Sequence, residues 1–200
     1  ESRAMLLDEP IAALDARLRE EMRVELKRLQ RENNQTFVYV SHDEEEVMAI
    51  SDRVAIIIDG KIAQIAAPEV VYSEPQSLEV AKVIGSPPMN LFQGSISASG
   101  LHFESAILPI IPINGNTLPG EDATLGVRPE DIWIGGSDTN PCFNVKVSSI
   151  EPLGSYTIVN AFLGAELIKI RAPGQVVLRE NEQLKVNLDL RNLHFFGPNG

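Results

Sequence analysis

Apolar and polar positions alternate in two different ways along the chain. Ala4-Met5-Leu6-Leu7 is an unbroken apolar run, the form of a strand covered on both faces. Pro10 and the Ile11–Ala13 stretch then turn the chain. Leu14, Leu18, Met22, Leu26 and Leu29 follow at steps of three and four, with Arg, Glu, Lys and Gln between them. That spacing predicts an amphipathic helix of about five turns with its leucine stripe in the core. Arg17/Glu21 and Glu25/Arg28 pair on its wet side, and Asn33-Asn34 ends it. Thr36–Val40 is β-branched and aromatic and predicts a second buried strand. Asp43–Ile50 reads as a short helix capped by Asp43 or Ser41, with Glu44, Glu45 and Glu46 forming a solvated face in its first turn. Arg53–Ile58 and Lys61–Ala66 flank Asp59-Gly60, the signature of a type I′ hairpin. Pro68–Tyr72 and Gln76–Ile84 read as short helices.

After Gly85-Ser86-Pro87-Pro88 the helical period disappears. Residues 91–196 carry short runs of Val, Ile and Phe, separated by Asn114-Gly115, Pro119-Gly120, Gly135-Gly136, Asn140-Pro141, Gly154, Gly164 and Pro173-Gly174. Short strands at this spacing predict a small barrel or sandwich. The expected organisation is an α/β segment over residues 1–86 followed by an all-β domain over 87–200.

Composition narrows the function classes. The 200 residues hold 17 Lys+Arg against 28 Asp+Glu, a formal net charge of −11. That balance, with 6% aromatic residues, argues against sequence-independent nucleic-acid binding, which needs clustered cations to displace counterions. The single Cys142 excludes a disulfide framework or a cysteine zinc site within these residues, and His42, His102 and His194 show no metal-ligand spacing. No apolar run reaches the roughly 18 residues that a membrane-spanning helix requires.

The chemistry concentrates at Met5-Leu6-Leu7-Asp8-Glu9-Pro10. A buried strand ending in two carboxylates places them at the sheet edge where open parallel sheets bind ligands. Asp8 can hold a hydrated Mg²⁺ on nucleotide phosphates, and Glu9 can orient or deprotonate an attacking water. Alone, the pattern is equally that of a strand ending in two solvated acids. Asp15 follows in Ala13-Leu14-Asp15, where it also reads as the cap of the long helix. His42 stands at the end of the next strand, in Val40-Ser41-His42-Asp43, within reach of the same edge and able to donate to a terminal phosphate oxygen.

In this order and spacing the elements resemble the second half of an ABC-transporter ATP-binding subunit. Asp8-Glu9-Pro10 is similar to its Walker B strand with the catalytic glutamate, Ala13-Leu14-Asp15 to its D-loop, and Ser41-His42-Asp43 to its switch-histidine loop. Ile84-Gly85-Ser86-Pro87-Pro88-Met89-Asn90 and Gly126-Val127-Arg128-Pro129-Glu130 resemble the linker and regulatory domain of sugar importers of the maltose type. The fold this implies is the C-terminal half of a P-loop ABC ATPase domain followed by an OB-like (TOBE) regulatory domain. The cofactors implied are ATP and Mg²⁺, with Asp8 at the metal, Glu9 and His42 catalytic, and Asp15 communicating across a homodimer. The partners implied are membrane permease subunits and a second ATPase subunit, at the cytoplasmic face of the inner membrane. A regulatory ligand or protein at the C-terminal domain is a further implied partner.

The phosphate-cradling Gly-x-x-x-x-Gly-Lys-Ser/Thr is absent from the 200 residues, and so is Leu-Ser-Gly-Gly-Gln. In the family both precede the Walker B strand, so the chain reads as a piece beginning downstream of them. No ATPase activity is expected from it alone, and exposed apolar edges are expected around Ala4–Leu7 and Phe37–Val40. A rival reading makes it a regulatory OB-type module that senses a sugar, an anion or an inhibitory protein.

Overall fold

The computed structural model describes residues 4–113 and 122–198, so the turn signals Asn114-Gly115 and Pro119-Gly120 lie outside the described residues. The chain divides into two compact units, residues 1–76 and 77–200.

In the first unit, β1 (Ala4–Asp8) pairs in parallel with β2 (Thr36–Val40), Ala4 opposite Thr36 and Asp8 opposite Val40. Helix α1 (Ala16–Asn33) connects them. It starts on Asp15, whose side chain accepts the Leu18 N–H, and stops at Asn34, which takes the left-handed conformation at φ 48°. The Arg17–Glu21 and Glu25–Arg28 pairs form on its exposed side at 3.1 and 2.6 Å; solvent screens such pairs, so they add little to stability. The leucine stripe is not core: no α1 residue is fully buried, and Leu18 is 39% exposed. Both strands are likewise open, with Leu6 78% and Val40 54% exposed. A parallel pair needs layers on both faces to bury its apolar run, and the described residues of this unit do not supply them. Helix α2 (Glu44–Ile50) is capped by Asp43, through the Glu46 N–H. The hairpin β3 (Val54–Ile58) and β4 (Lys61–Ala66) turns on Asp59 and Gly60, at φ 50° and 74°. Positive φ at both central positions is what a type I′ turn requires. Helix α3 (Pro68–Ser73) follows, and the side-chain amide of Gln64 bridges the Glu74 carbonyl and the Gln76 N–H.

The second unit begins with helix α4 (Leu78–Val83), capped by Ser77. Its Ala81 packs against Met89 and Phe196 of the β-structure. Two antiparallel five-stranded sheets follow. The first runs β14 (His194–Phe196), β8 (Asp122–Val127), β5 (Asn90–Ile96), β6 (His102–Glu104), β7 (Ile111–Pro112). The second runs β12 (Glu166–Pro173), β11 (Tyr156–Leu163), β10 (Cys142–Pro152), β13 (Gln183–Leu188), β9 (Ile132–Ile134). Their inward residues share one core, which includes Phe92, Phe103 and Leu125 from the first sheet and Val159, Ile170 and Val186 from the second. Asn90 stitches the sheets together: its side-chain amide accepts the Lys169 N–H at 2.8 Å and donates to the Lys169 carbonyl at 2.9 Å, standing in for a ladder residue beside β12. Arg128 is buried, with its guanidinium donating to the Ile84 carbonyl. Gly85 has φ 114°, and a Cβ there would collide with that guanidinium, so glycine is required by both space and backbone. Trp133 lies on the edge strand β9, 55% exposed. Cys142 is only half-buried, and its Sγ accepts the Ser137 N–H at 3.2 Å.

His194 makes this unit sensitive to acid. It stacks on Phe196, and burial, followed by the nearby Arg128 charge, holds its imidazole below the ordinary 6.5. The unfolded chain therefore takes up a proton below pH 6.5 that the folded chain resists, so stability is present above that pH and falls as pH drops through it. Urea midpoints are expected to be lower at pH 5.5 than at 7.5, and His194→Gln is expected to flatten that dependence. An equal slope in the variant would refute it.

Candidate functional site

The parallel register decides where the acids end up. Asp8 is the last residue of β1, opposite Val40 at the end of β2, so the residues that follow each strand emerge on the same side. Glu9 does not continue the strand. Its φ is 44°, left-handed for a residue with a Cβ, a conformation that costs about 1–2 kcal/mol. Two backbone bonds hold it there: its N–H donates to the Val40 carbonyl at 2.8 Å, and its own carbonyl accepts the Ala12 N–H at 3.3 Å. The chain therefore turns at Glu9 rather than extending the strand past Asp8. Backbone strain of this kind concentrates at functional sites.

The turn brings Glu9 onto His42. Glu9 Oε1 lies 2.8 Å from His42 Nδ1, across 33 residues of sequence. The two side chains are 44% and 75% exposed. At that exposure the pair adds about 0–1 kcal/mol to stability, so its consequence is orientation. An ionised carboxylate only accepts, so Nδ1 carries the proton in this contact. Asp8 is exposed beside them. Asp15 is exposed too, with its carboxylate on the Leu18 N–H at 3.0 Å.

Behind this edge lies a residue the sequence reading misplaced. Glu46 is 2% exposed rather than part of a solvated face. The Tyr39 hydroxyl donates to its carboxylate, and its N–H donates to Asp43 Oδ1 at 3.0 Å. Burial raises its pKa, the Arg19 and Arg23 charges oppose the rise, and Glu9 adds to it. The signal was present: Asp43-x-x-Glu46 is the capping-box spacing. Here the glutamate turns inward to Tyr39 from β2, which periodicity within one helix cannot show.

Among the described residues no three His, Cys, Asp or Glu side chains cluster to hold a metal. One or two carboxylates at a strand end suit a Mg²⁺ that keeps most of its waters and takes other oxygens from phosphates, not an all-protein cage.

Comparison with known proteins shows what the chain is similar to. A model described as MalK OB fold domain matches residues 85–132, and one described as TOBE domain matches residues 125–196. The chain is 36% identical over 196 residues to the sulfoquinovosyl glycerol transport ATP-binding protein SmoE of Agrobacterium fabrum, covering 96% of this chain and 54% of that protein. It is 40% identical over 207 residues to the sn-glycerol-3-phosphate import ATP-binding protein UgpC of Brucella abortus, covering 100% and 56%. For UgpC of Burkholderia pseudomallei the figures are 38% over 204 residues, 99% and 56%. Over its length the chain is thus similar to ATP-binding proteins of transport and import systems, with OB-fold and TOBE matches in its second half. It spans about half the length of the curated relatives it matches. The OB-fold and TOBE matches both fall on the β-rich second unit. Among the described residues no helix is long and apolar enough to cross a membrane.

Proposed function

We propose that these residues work within an ATP-binding and ATP-hydrolysing subunit that energises an ABC importer, for sugars or sugar-like solutes. One observation carries the reading: the Glu9–His42 contact at the shared end of two parallel strands, in a chain similar to import ATP-binding proteins. Residues 1–86 would close the ATPase domain, and residues 87–200 would form its regulatory domain.

ATP supplies a γ-phosphate that water can attack, and Mg²⁺ supplies charge neutralisation at it. Asp8 would hold the cation through water. Glu9 would orient the attacking water and accept its proton. His42 would face the γ-phosphate. Its Nδ1 proton is already directed to Glu9, so Nε2 donates to a phosphate oxygen only when the ring carries both protons or lets Glu9 go. Glu9 is thereby held off or released by the same ring that meets the phosphate. Asp15, fixed at the α1 N-terminus, would face a second ATPase subunit in a homodimer. Permease subunits in the inner membrane would be the transporting partners, with this subunit peripheral on the cytoplasmic side.

The motif that rings the β- and γ-phosphates with backbone N–H groups and a lysine is absent from these 200 residues. Incubated alone with Mg–ATP, the chain is expected to release no phosphate above background and to show no ATP-dependent thermal shift. Phosphate release by this chain that Glu9→Gln abolishes would refute the expected inactivity. The complete gene product should hydrolyse ATP, and one that does not would refute the ATPase reading itself.

The OB-like and TOBE matches over residues 85–196 favour a second role for the β-rich unit, as a module sensing a sugar, an anion or an inhibitory protein. A thermal shift with candidate sugars or inorganic phosphate, and none with Mg–ATP, would support that role for the isolated chain.

A further inference from the structure

Arg19 touches two loops that the proposed reaction uses separately. It lies in the first turn of α1, and its Nη2 donates to the Leu14 carbonyl at 3.0 Å. Its Nη1 stands 3.5 Å from Asp43 Oδ2, each side chain about one-third exposed, at 32% and 34%. Leu14 immediately precedes Asp15, and Asp43 immediately follows His42. On the stem side of the guanidinium, Nε of Arg19 is buried without a hydrogen-bond partner. A guanidinium so placed is fixed by its ends: a planar fork spans two acceptors that a single ammonium cannot.

Asp43 is fixed in turn. Its second oxygen accepts the Glu46 N–H at 3.0 Å and caps α2, and its own N–H donates to the Ser41 hydroxyl at 3.1 Å. The connection thus runs from the Leu14 carbonyl through Arg19 and Asp43 into the backbone that carries His42. Farther along the same two helices, Lys27 Nζ donates to the Ala49 carbonyl at 3.3 Å, tying α1 to the end of α2 as well. A partly exposed ion pair of this kind adds little stability; its geometry supplies a mechanical link.

We propose that Arg19 is a positioning residue that couples the loop of Asp15 to the loop of His42, so that displacement of one moves the other. The proposal rests on the reading of Glu9 and His42 as a phosphate-facing pair and of Asp15 as the group facing a second subunit. A His42 shift at a terminal phosphate would pull Asp43, and through Arg19 the Leu14–Asp15 peptide, toward or away from that subunit.

The test uses amide and imidazole NMR spectra of the 200-residue chain. Asp43→Asn is expected to shift the Asp15 amide resonance, and Arg19→Gln is expected to abolish that remote shift, as a coupled pair requires in a double-mutant cycle. Amide exchange at Asp15 and His42 is expected to quicken about tenfold in Arg19→Gln, with far-UV circular dichroism unchanged. Arg19→Lys keeps the charge but not the fork and should restore less than half of the remote shift. If Arg19→Gln does not fold, the shift is read in Arg19→Lys alone, where a reduction of at least half supports the link and an undiminished shift overturns it. An Asp15 response to Asp43→Asn that is absent, or the same with and without Arg19, overturns the proposal. A separate Glu9→Gln variant must move the His42 ring resonances. If it does not, the phosphate-facing pair itself fails, whatever Arg19 does.

Discussion

Glu9→Gln in the complete subunit is expected to lower kcat for ATP hydrolysis by about 10²–10⁴-fold, the range that a positioned general base contributes. Glutamine keeps the side-chain length and can still meet His42 through its amide oxygen, so the turn at φ 44° and the 2.8 Å contact have no steric reason to change. What it loses is the ability to accept a proton. ATP affinity should therefore hold within a few-fold while kcat falls, the pattern of an interaction made in the transition state. His42→Gln should behave differently. In the proposed roles it removes both a donor toward the phosphate and the ring that meets Glu9, so the double variant should lose little more than the worse single one. Stopped-time phosphate release and equilibrium binding of a fluorescent ATP analogue measure the two quantities. A Glu9→Gln subunit retaining more than a tenth of wild-type kcat would contradict the role given to Glu9.

Phe103→Ala is expected to cost about 3–5 kcal/mol of folding stability, the range for a buried phenylalanine whose cavity the surroundings cannot refill. Phe103 is fully buried in the shared core of the two sheets, with its ring 6.0 Å from that of Phe195. It sits on β6, only three residues long, between β5 and β7. A strand this short has few ladder bonds, so it depends on its one large inward side chain. The loss is a large fraction of the stability of a small domain, and the variant should be mostly unfolded well below the wild-type midpoint. Urea denaturation followed by far-UV circular dichroism and by the single Trp133 reads it. Phe162→Ala, at a position 41% exposed on β11, is the control and should cost far less. Equal costs at the two positions would show that Phe103 is not the core residue its burial indicates.

Much of the local structure was legible from the residues. Asp15 and Asp43 cap their helices because short acidic side chains reach the free N–H groups of a first turn. Asp59-Gly60 forms the tight hairpin because that pair tolerates positive φ twice in succession. The β-rich second half was readable from its short apolar runs and turn residues. Burial in the first half was legible only in part: apolar exposure at Ala4–Leu7 and Phe37–Val40 was expected, whereas the openness of the leucine stripe was not. The Ala4–Leu7 run and the Leu14–Leu29 stripe announce apolar faces, but a pattern states only which side seeks cover, not whether cover is present. The solvated-face reading of Glu44–Glu46 failed at Glu46 for the converse reason: its hydroxyl partner is on β2, and no helical period can reveal a partner on another element.

The sequence by itself determined which groups could do chemistry: two neighbouring carboxylates after an apolar strand, a capping aspartate, and a histidine after the next strand, in an order that a family shares. It could do so because residue type and spacing fix local conformation through short-range sterics and hydrogen bonding. Only the tertiary structure decided which of these groups meet. The parallel pairing of β1 with β2 and the left-handed turn at Glu9 set its carboxylate on His42, while Asp15 stays at its helix end and Arg19 bridges toward Asp43. Such meetings depend on strand register and on side-chain reach across tens of residues, and no local pattern in a chain encodes a distance between elements.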